Sequence, residues 1–200
     1  MVKRSVTPRQ QSLAQMNGVV VEGITCSGKT ELVSSLKSEL KRFGGFDVKE
    51  LAHVDCGDQY ARYLKEYATQ ERILLHRSHI SEYVLGRLLR AHSPFSKNEL
   101  TTLNKILALR FVCVLVEPPN FKFFLERMAQ DKRHVREPYN KDRYTQIIAS
   151  FRRSFDHIPH LHYISSSFAD LQSTKDAIIA KLTLELPRAE VCEKADVSPL

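Results

Sequence analysis

Short stretches of strand character at 19–21, 47–54, 73–75, 111–116 and 161–164 alternate along this chain with longer stretches of helical spacing, and that alternation leaves few folds open. The stretch 111–116 reads Phe-Val-Cys-Val-Leu-Val, apolar at every position instead of every second one, so both of its faces must be covered. Val19, Val20 and Val21 have the same character. Over 29–43, Leu32, Val33, Leu36, Leu40 and Phe43 recur at helical spacing, and Gly44 and Gly45 are placed to end that helix. Further helices are predicted over 60–69, over 81–92 with Ile80, Val84, Leu88 and Ala91 on one face, and over 97–109, 120–129 and 139–155, with breaks at Pro94, Pro118 and Pro119. Ser173 followed by Asp176 predicts a capping box opening a last helix, which Pro187 stops. Five buried strands separated by helices specify a five-stranded parallel sheet with helices on both sides, a three-layer α/β domain.

A chain of 200 residues suffices for one such domain, and 42% hydrophobic with 26% charged residues excludes disorder throughout. No apolar run approaches the roughly 20 residues that cross a bilayer as a helix, so no membrane partner is expected. Cys26, Cys56, Cys113 and Cys192 are widely spaced and form no C-x-x-C pair, which points away from a disulfide framework or a structural zinc site and toward a reducing, cytoplasmic setting. The formal charge is +7, of which Lys3, Arg4 and Arg9 contribute three before the first acidic residue, Glu22. The remaining +4 attracts polyphosphate or nucleic acid without choosing between them. The expected organisation is a basic, disordered tail over 1–16, a domain over 17–186 and a flexible tail over 187–200. A transit peptide is the less favoured reading of the start, because no regular arginine face develops there.

Between the first strand and the first helix lies Gly23-Ile24-Thr25-Cys26-Ser27-Gly28-Lys29-Thr30, a match to G-x-x-x-x-G-K-[ST] in the context that pattern requires. The glycines allow a turn whose N–H groups converge on phosphate oxygens, and the helix N-terminus adds partial positive charge. Lys29 reaches the β- and γ-phosphates and Thr30 offers a hydroxyl to Mg²⁺, which implies ATP and Mg²⁺ as cofactors. Cys26 is either a small residue that lets the backbone wrap the phosphates or a thiol made reactive by Lys29.

Several segments resemble the thymidylate kinase and deoxynucleoside kinase branch of P-loop kinases. Glu22-Gly23 before Ser27-Gly28-Lys29-Thr30 is similar to that branch's E-G…S-G-K-[ST] opening. His76-Arg77-Ser78, followed by Ser81-Glu82-Tyr83 and Gly86, resembles its D/E-R-S…S-E…Y-G signature. Glu117-Pro118-Pro119 resembles the end of its fourth strand. Arg127 with Lys132, Arg133 and Arg136 resembles its arginine-bearing lid, here about 130–137, and 161–167 resembles the adenine-side loop that includes Ser166. The likeness spans 18–185, and only the opening and 76–86 are specific. It implies an ATP-dependent nucleotide kinase in which Arg127 and Ser166 serve the donor while Glu82 serves the substrate. Two departures stand out: Thr25 where Asp or Asn is frequent, and His76 where the family carries a carboxylate that organises Mg²⁺ and phosphate. Asp55, at the expected end of the second strand, and Glu117, at the end of the fourth, are the available substitutes.

Phosphoryl transfer rests on positioning and charge neutralisation. Lys29, Arg77, Arg133 and Arg136 are therefore the candidate catalytic cations, against which stand readings of Arg77 as a structural ion pair and of the lid as a solvated loop. Asp55 either serves the acceptor or a metal-bound water, or is an exposed loop carboxylate. His76 is a neutral hydrogen-bonding residue, an extra cation, or a satisfied buried histidine. Tyr60, Tyr63 and Tyr67 share a helical face that either stacks a base or, more often for such a stripe, belongs to the core. A monophosphate acceptor asks for Arg77 and a second cation such as Arg62; a free nucleoside asks for a carboxylate base. The cationic site and the His76 departure favour the monophosphate. A modified base in DNA, a catalytically reduced nucleotide-binding module, nucleic-acid binding through the tail, and a homodimer stay open.

Overall fold

The computed structural model describes residues 18–41, 46–51, 58–69, 72–131, 139–161 and 163–185; the expectations for both tails, Gly44, Gly45, Asp55, Arg133 and Arg136 fall outside them. In chain order the elements are β1 (Gly18–Glu22), α1 (Lys29–Leu40), β2 (Asp47–Glu50), α2 (Gln59–Ala68), β3 (Ile73–His76), α3 (His79–Leu89), α4 (Lys97–Arg110), β4 (Phe111–Glu117), α5 (Phe121–Gln130), α6 (Lys141–Asp156), β5 (Tyr163–Ser167), a 3₁₀ turn (Phe168–Asp170) and α7 (Leu171–Glu185). The sheet order is β2-β3-β1-β4-β5, with every pairing parallel. This is the three-layer α/β fold that the alternation specifies.

Side chains alternate across each strand, so β1 feeds two cores. Val19 and Val21 pack with Leu32, Leu36 and Leu40 of α1 and with Ile178 and Leu182 of α7. Val20 faces the opposite way, toward Tyr63 and Tyr67 of α2, Leu103 and Leu107 of α4, Phe124 of α5 and Phe151 of α6. Each fully buried aliphatic or phenyl side chain contributes roughly 1.5–3 kcal/mol relative to exposure. Tyr63 and Tyr67 are fully buried, so the tyrosine stripe is core. The helices start where short polar residues accept backbone N–H groups: Asp58 from Ala61, Ser78 from Ile80, Asn120 from Phe123, Asn140 from Arg143. Ser96 and Glu99 form a complete capping box at α4.

The expected capping box at Ser173 and Asp176 is not formed. The 3₁₀ turn runs straight into α7, which places Ser173 inside the helix, where its hydroxyl donates to the carbonyl of Asp170 while Asp176 accepts from Gln172. Three other boundaries move. β2 stops at Glu50, α3 stops at Leu89 and leaves Ala91 outside it with φ 51°, and β5 runs through Ser165–Ser167 because pairing with β4 satisfies the backbone whatever the side chains. Among the described residues no helix is long and apolar enough to cross a membrane.

Candidate active site

The loop from β1 into α1 follows from its two glycines. Gly23 has φ 142°, and a Cβ there would collide with the carbonyl oxygen of Val116. Gly28 caps α1 at φ 102°, and a Cβ there would sit 2.5 Å from the Phe168 ring. Cys26 also adopts a left-handed conformation, φ 58°, and its Sγ lies 3.6 Å from the sulfur of Met128. Lys29 is only 4% exposed and bends back into the loop, donating to the Ile24 carbonyl at 2.6 Å and to Ser27 Oγ at 3.5 Å. Burial, reinforced by Arg77 and opposed by Glu22, lowers the Lys29 pKa to about 7. An ammonium in this setting lacks a compensating anion close enough to offset its burial.

One turn into α1, Glu31 pairs with Arg127 at the end of α5. Burial pushes the Glu31 carboxyl up, but the hydrogen bond and charge of Arg127, a backbone hydrogen bond and the charge of Lys29 together outweigh it and hold the group below its usual range. The Arg127 guanidinium lies 4.8 Å from the Phe168 ring centroid and 6.0 Å from that of Phe123. These planes stand where α5 and the segment after β5 meet the phosphate loop. Ser166 points elsewhere: its hydroxyl donates to the Ser167 carbonyl and accepts from Thr174, knitting β5 to α7.

Beside the loop, the end of β1 is tied to the start of α3. Glu22 is fully buried, and its carboxylate accepts from the amide and hydroxyl of Ser78 at 2.6 Å each, from the amide and hydroxyl of Ser81 at 3.2 and 2.5 Å, and from the amide of Gly23 at 3.3 Å. A carboxylate at a helix N-terminus also meets the positive end of the dipole. His79, one residue into α3, accepts from the Tyr67 hydroxyl at Nδ1 (2.7 Å) and donates from Nε2 to Asn104 (2.8 Å), which anchors α3 to α2 and α4. Between these anchors Arg77 is held at φ 80°, its amide donating to the Val21 carbonyl at 3.0 Å. A left-handed arginine costs about 1–2 kcal/mol, and such strain gathers at functional sites.

Arg77 lines a cavity of about 1090 Å³. Its lining joins Thr25, Cys26, Ser27, Gly28, Lys29 and Thr30 of the loop with Glu50, His76, Arg77, Glu82 and Arg90, and with the apolar Leu85, Leu89 and Tyr139. Ile24 is fully buried behind the loop. Glu82 pairs with Arg90 at 2.8 Å. Glu50, the last residue of β2, pairs in register with His76 and brings its Oε1 to 3.5 Å from His76 Nδ1. His76 Nε2 is buried and has no hydrogen-bond partner among the described residues. Burial first, then Lys29 and Arg77 against Glu50, lowers the His76 pKa to about 4.

Of the sequence candidates, the cavity thus gathers Thr25 to Thr30, His76, Arg77, Glu82 and Arg127. Arg62 is not part of its lining; it sits on α2 with its guanidinium 5.8 Å from the Tyr63 ring. Glu117 is committed to a two-pronged pair with Arg152 at 2.8 and 2.5 Å, lining a separate cavity of about 560 Å³. Sequence reasoning missed Glu50, Glu31 and Arg90. Glu50 was findable as the carboxylate that ends β2, a position the expected extension of that strand to 54 hid within it. Among the described residues no group of three or more His, Cys, Asp and Glu is arranged to hold a metal.

No protein-family model and no curated protein sequence matches the chain. Solved structures do. YorR of Bacillus subtilis, determined in complex with phosphorylated GDP, matches with TM-score 0.68 and 14% identity over 84% of this chain and 96% of that one. The fold is that of the P-loop kinases. Deoxyadenosine kinase of M. mycoides with bound dCTP matches at TM-score 0.52 and 12% identity, over 84% and 99%. Kti12 of Chaetomium thermophilum in complex with ADP-AlF3 matches at 0.50 and 12%, over 85% and 99%. At these identities the P-loop kinase likeness carries the fold alone.

Proposed function

We propose that the chain is an ATP-dependent phosphotransferase acting on a nucleoside-type acceptor, within the thymidylate kinase and deoxynucleoside kinase branch. The observation that carries this reading is the position of Arg77: a strained cation at the end of β3, facing the same cavity as the phosphate loop, with room beside it for a second substrate. Lys29 would leave the Ile24 carbonyl for β- and γ-phosphate oxygens, while the loop amides and the α1 N-terminus hold the tail. Arg127 and Phe168 offer planar faces for the donor base, a role in which Ser166 acts only by fixing the end of β5.

Mg²⁺ fits a site completed by the substrate. Thr30 faces the cavity beside Lys29, and with no protein cluster in the described residues the remaining ligands would be phosphate oxygens and water, as is ordinary for this ion. Bound there, it neutralises charge on the transferring group. Arg133 and Arg136 are proposed as the lid cations and Asp55 as an acceptor-side or metal-organising carboxylate.

Two acceptors suit the cavity. A (deoxy)nucleoside monophosphate is supported by Arg77, whose planar fork suits phosphate, although Arg62 does not accompany it. A free nucleoside is supported by Glu50, Glu82 and His76, which give the acceptor end carboxylates and a lone pair. The test is acceptor-dependent release of ADP, run with deoxynucleosides, their 5′-monophosphates and DNA containing a modified base. ATP binding without ADP release on any of them would instead support a nucleotide-binding module that has lost transfer.

A further inference from the structure

We infer that His76 is the residue that takes the proton from the acceptor, and hence that the attacking atom is a hydroxyl oxygen of a nucleoside and not a phosphate oxygen; this rests on the phosphotransferase reading above. The inference follows from hydrogen-bond accounting. His76 Nδ1 faces the Glu50 carboxylate at 3.5 Å, an ion-pair distance, and the negative charge there favours the tautomer that carries its hydrogen on Nδ1. In the neutral ring Nε2 is then a bare lone pair. It is buried, it has no partner among the described residues, and its ring lines the cavity with Lys29, Thr30 and Arg77. A buried polar atom left in this state is costly unless a ligand completes it.

Only a donor can complete it. An ionised phosphate offers lone pairs and would oppose lone pair to lone pair; a hydroxyl offers its hydrogen. The chemistry agrees, since a hydroxyl must lose its proton as it attacks and a phosphate dianion need not. As the acceptor O–H bond breaks, the proton passes to Nε2 and the electron pair of that bond forms the new bond to the γ-phosphorus. The P–O bond to the departing ADP breaks with its electron pair staying on ADP, and the imidazolium, countered by Glu50 at Nδ1, returns its proton to water. Glu50 is the positioning residue, and the β2–β3 register fixes the pair on strands and not on loops.

The charged groups facing the ring are Glu50 from β2, Lys29 and Glu31 from α1, and Arg77 beside it. Lys29 and Arg77 oppose an imidazolium and the carboxylates favour it. A triphosphate seated on Lys29 cancels part of the opposition, so the ring becomes a better base only once the donor is in place.

The experiment measures ADP release with thymidine, deoxycytidine, deoxyadenosine and deoxyguanosine, and with their 5′-monophosphates. For His76→Asn, turnover on the accepted nucleoside should fall by about 10²–10⁴-fold, with calorimetric ATP affinity unchanged. For Glu50→Gln, whose side chain is 64% exposed and so safe for the fold, the acidic limb of the kcat profile should move to lower pH, because the imidazolium loses its countercharge. Wild-type turnover confined to monophosphates, or nucleoside turnover that survives His76→Asn, overturns the inference while leaving the phosphotransferase reading intact. Failure of the wild-type protein to bind Mg²⁺–ATP overturns both.

Discussion

The ends of β1 and β3 lie side by side in the sheet, each finishes in a buried ionisable side chain, and the two have opposite fates. Glu22 is given partners for both of its oxygens by Gly23, Ser78 and Ser81. His76, two residues before Ser78, keeps a buried nitrogen with no partner among the described residues. Both groups are taken out of water, but only one is compensated by the protein. The compensated group holds the scaffold together and the uncompensated one is set aside for a ligand. Burial alone would not have separated them.

Breaking the compensated side should give the largest effect. Glu22→Ala strips the acceptor from two serine amides and two hydroxyls, and should destabilise the protein by about 3–5 kcal/mol, the range for removing one member of a buried charged network. The midpoint of urea unfolding reports it. Lys29→Met tests the ligand-facing side: turnover with ATP should fall by roughly 10²–10³-fold, as for loss of one oriented donor. Its unfolding midpoint should not fall, because the fold disfavours the buried ammonium that the substitution removes.

A third variant separates buried histidines that look alike by exposure. His79 is as buried as Glu22 and fully bonded, yet burial alone holds its pKa down to about 4 from 6.5 in spite of Asn104. The unfolded chain therefore binds a proton below pH 6.5 that the folded chain refuses until about pH 4. Stability from this group is complete above pH 6.5 and is lost as the pH falls through 4, by about 3 kcal/mol. His79→Gln should lower stability at pH 7 through its broken bonds to Tyr67 and Asn104, and flatten the fall between pH 6.5 and 4. An unchanged slope would show that the imidazole titrates freely in the fold.

The same two strand ends show what a sequence discloses. The order of strands and helices was legible because apolar runs such as Val19–Val21 and 111–116 have no other use in a chain of this composition, and the phosphate loop because Gly23 and Gly28 occupy conformations that other residues adopt only at a cost. Arg77 was legible from its place after a strand. The presence of Glu50 at the cavity was not, because it depends on where β2 stops, and no local propensity in Lys49-Glu50-Leu51 marks that end. Nor could Ser166 be placed, since a serine next to a strand end bonds to whichever neighbour the following helix brings, here Thr174. Glu22 carried a signal, standing directly before Gly23, but its serine partners lie more than fifty positions away and only the fold joins them.

The smallest effect sharpens the comparison most. If His76 is set aside for a ligand, its removal should cost the fold almost nothing in the absence of substrate. Its Nε2 gives no bond to lose, and its Nδ1 contact is to the largely exposed Glu50 at 3.5 Å, where ion pairs contribute about 0–1 kcal/mol. His76→Asn should therefore shift the urea midpoint by less than about 1 kcal/mol at pH 7, and at pH 5 it should be the more stable form, because a neutral amide does not resist protonation. A loss as large as that of Glu22→Ala would mean that the nitrogen has a partner in solution, and that the two strand ends serve the scaffold alike.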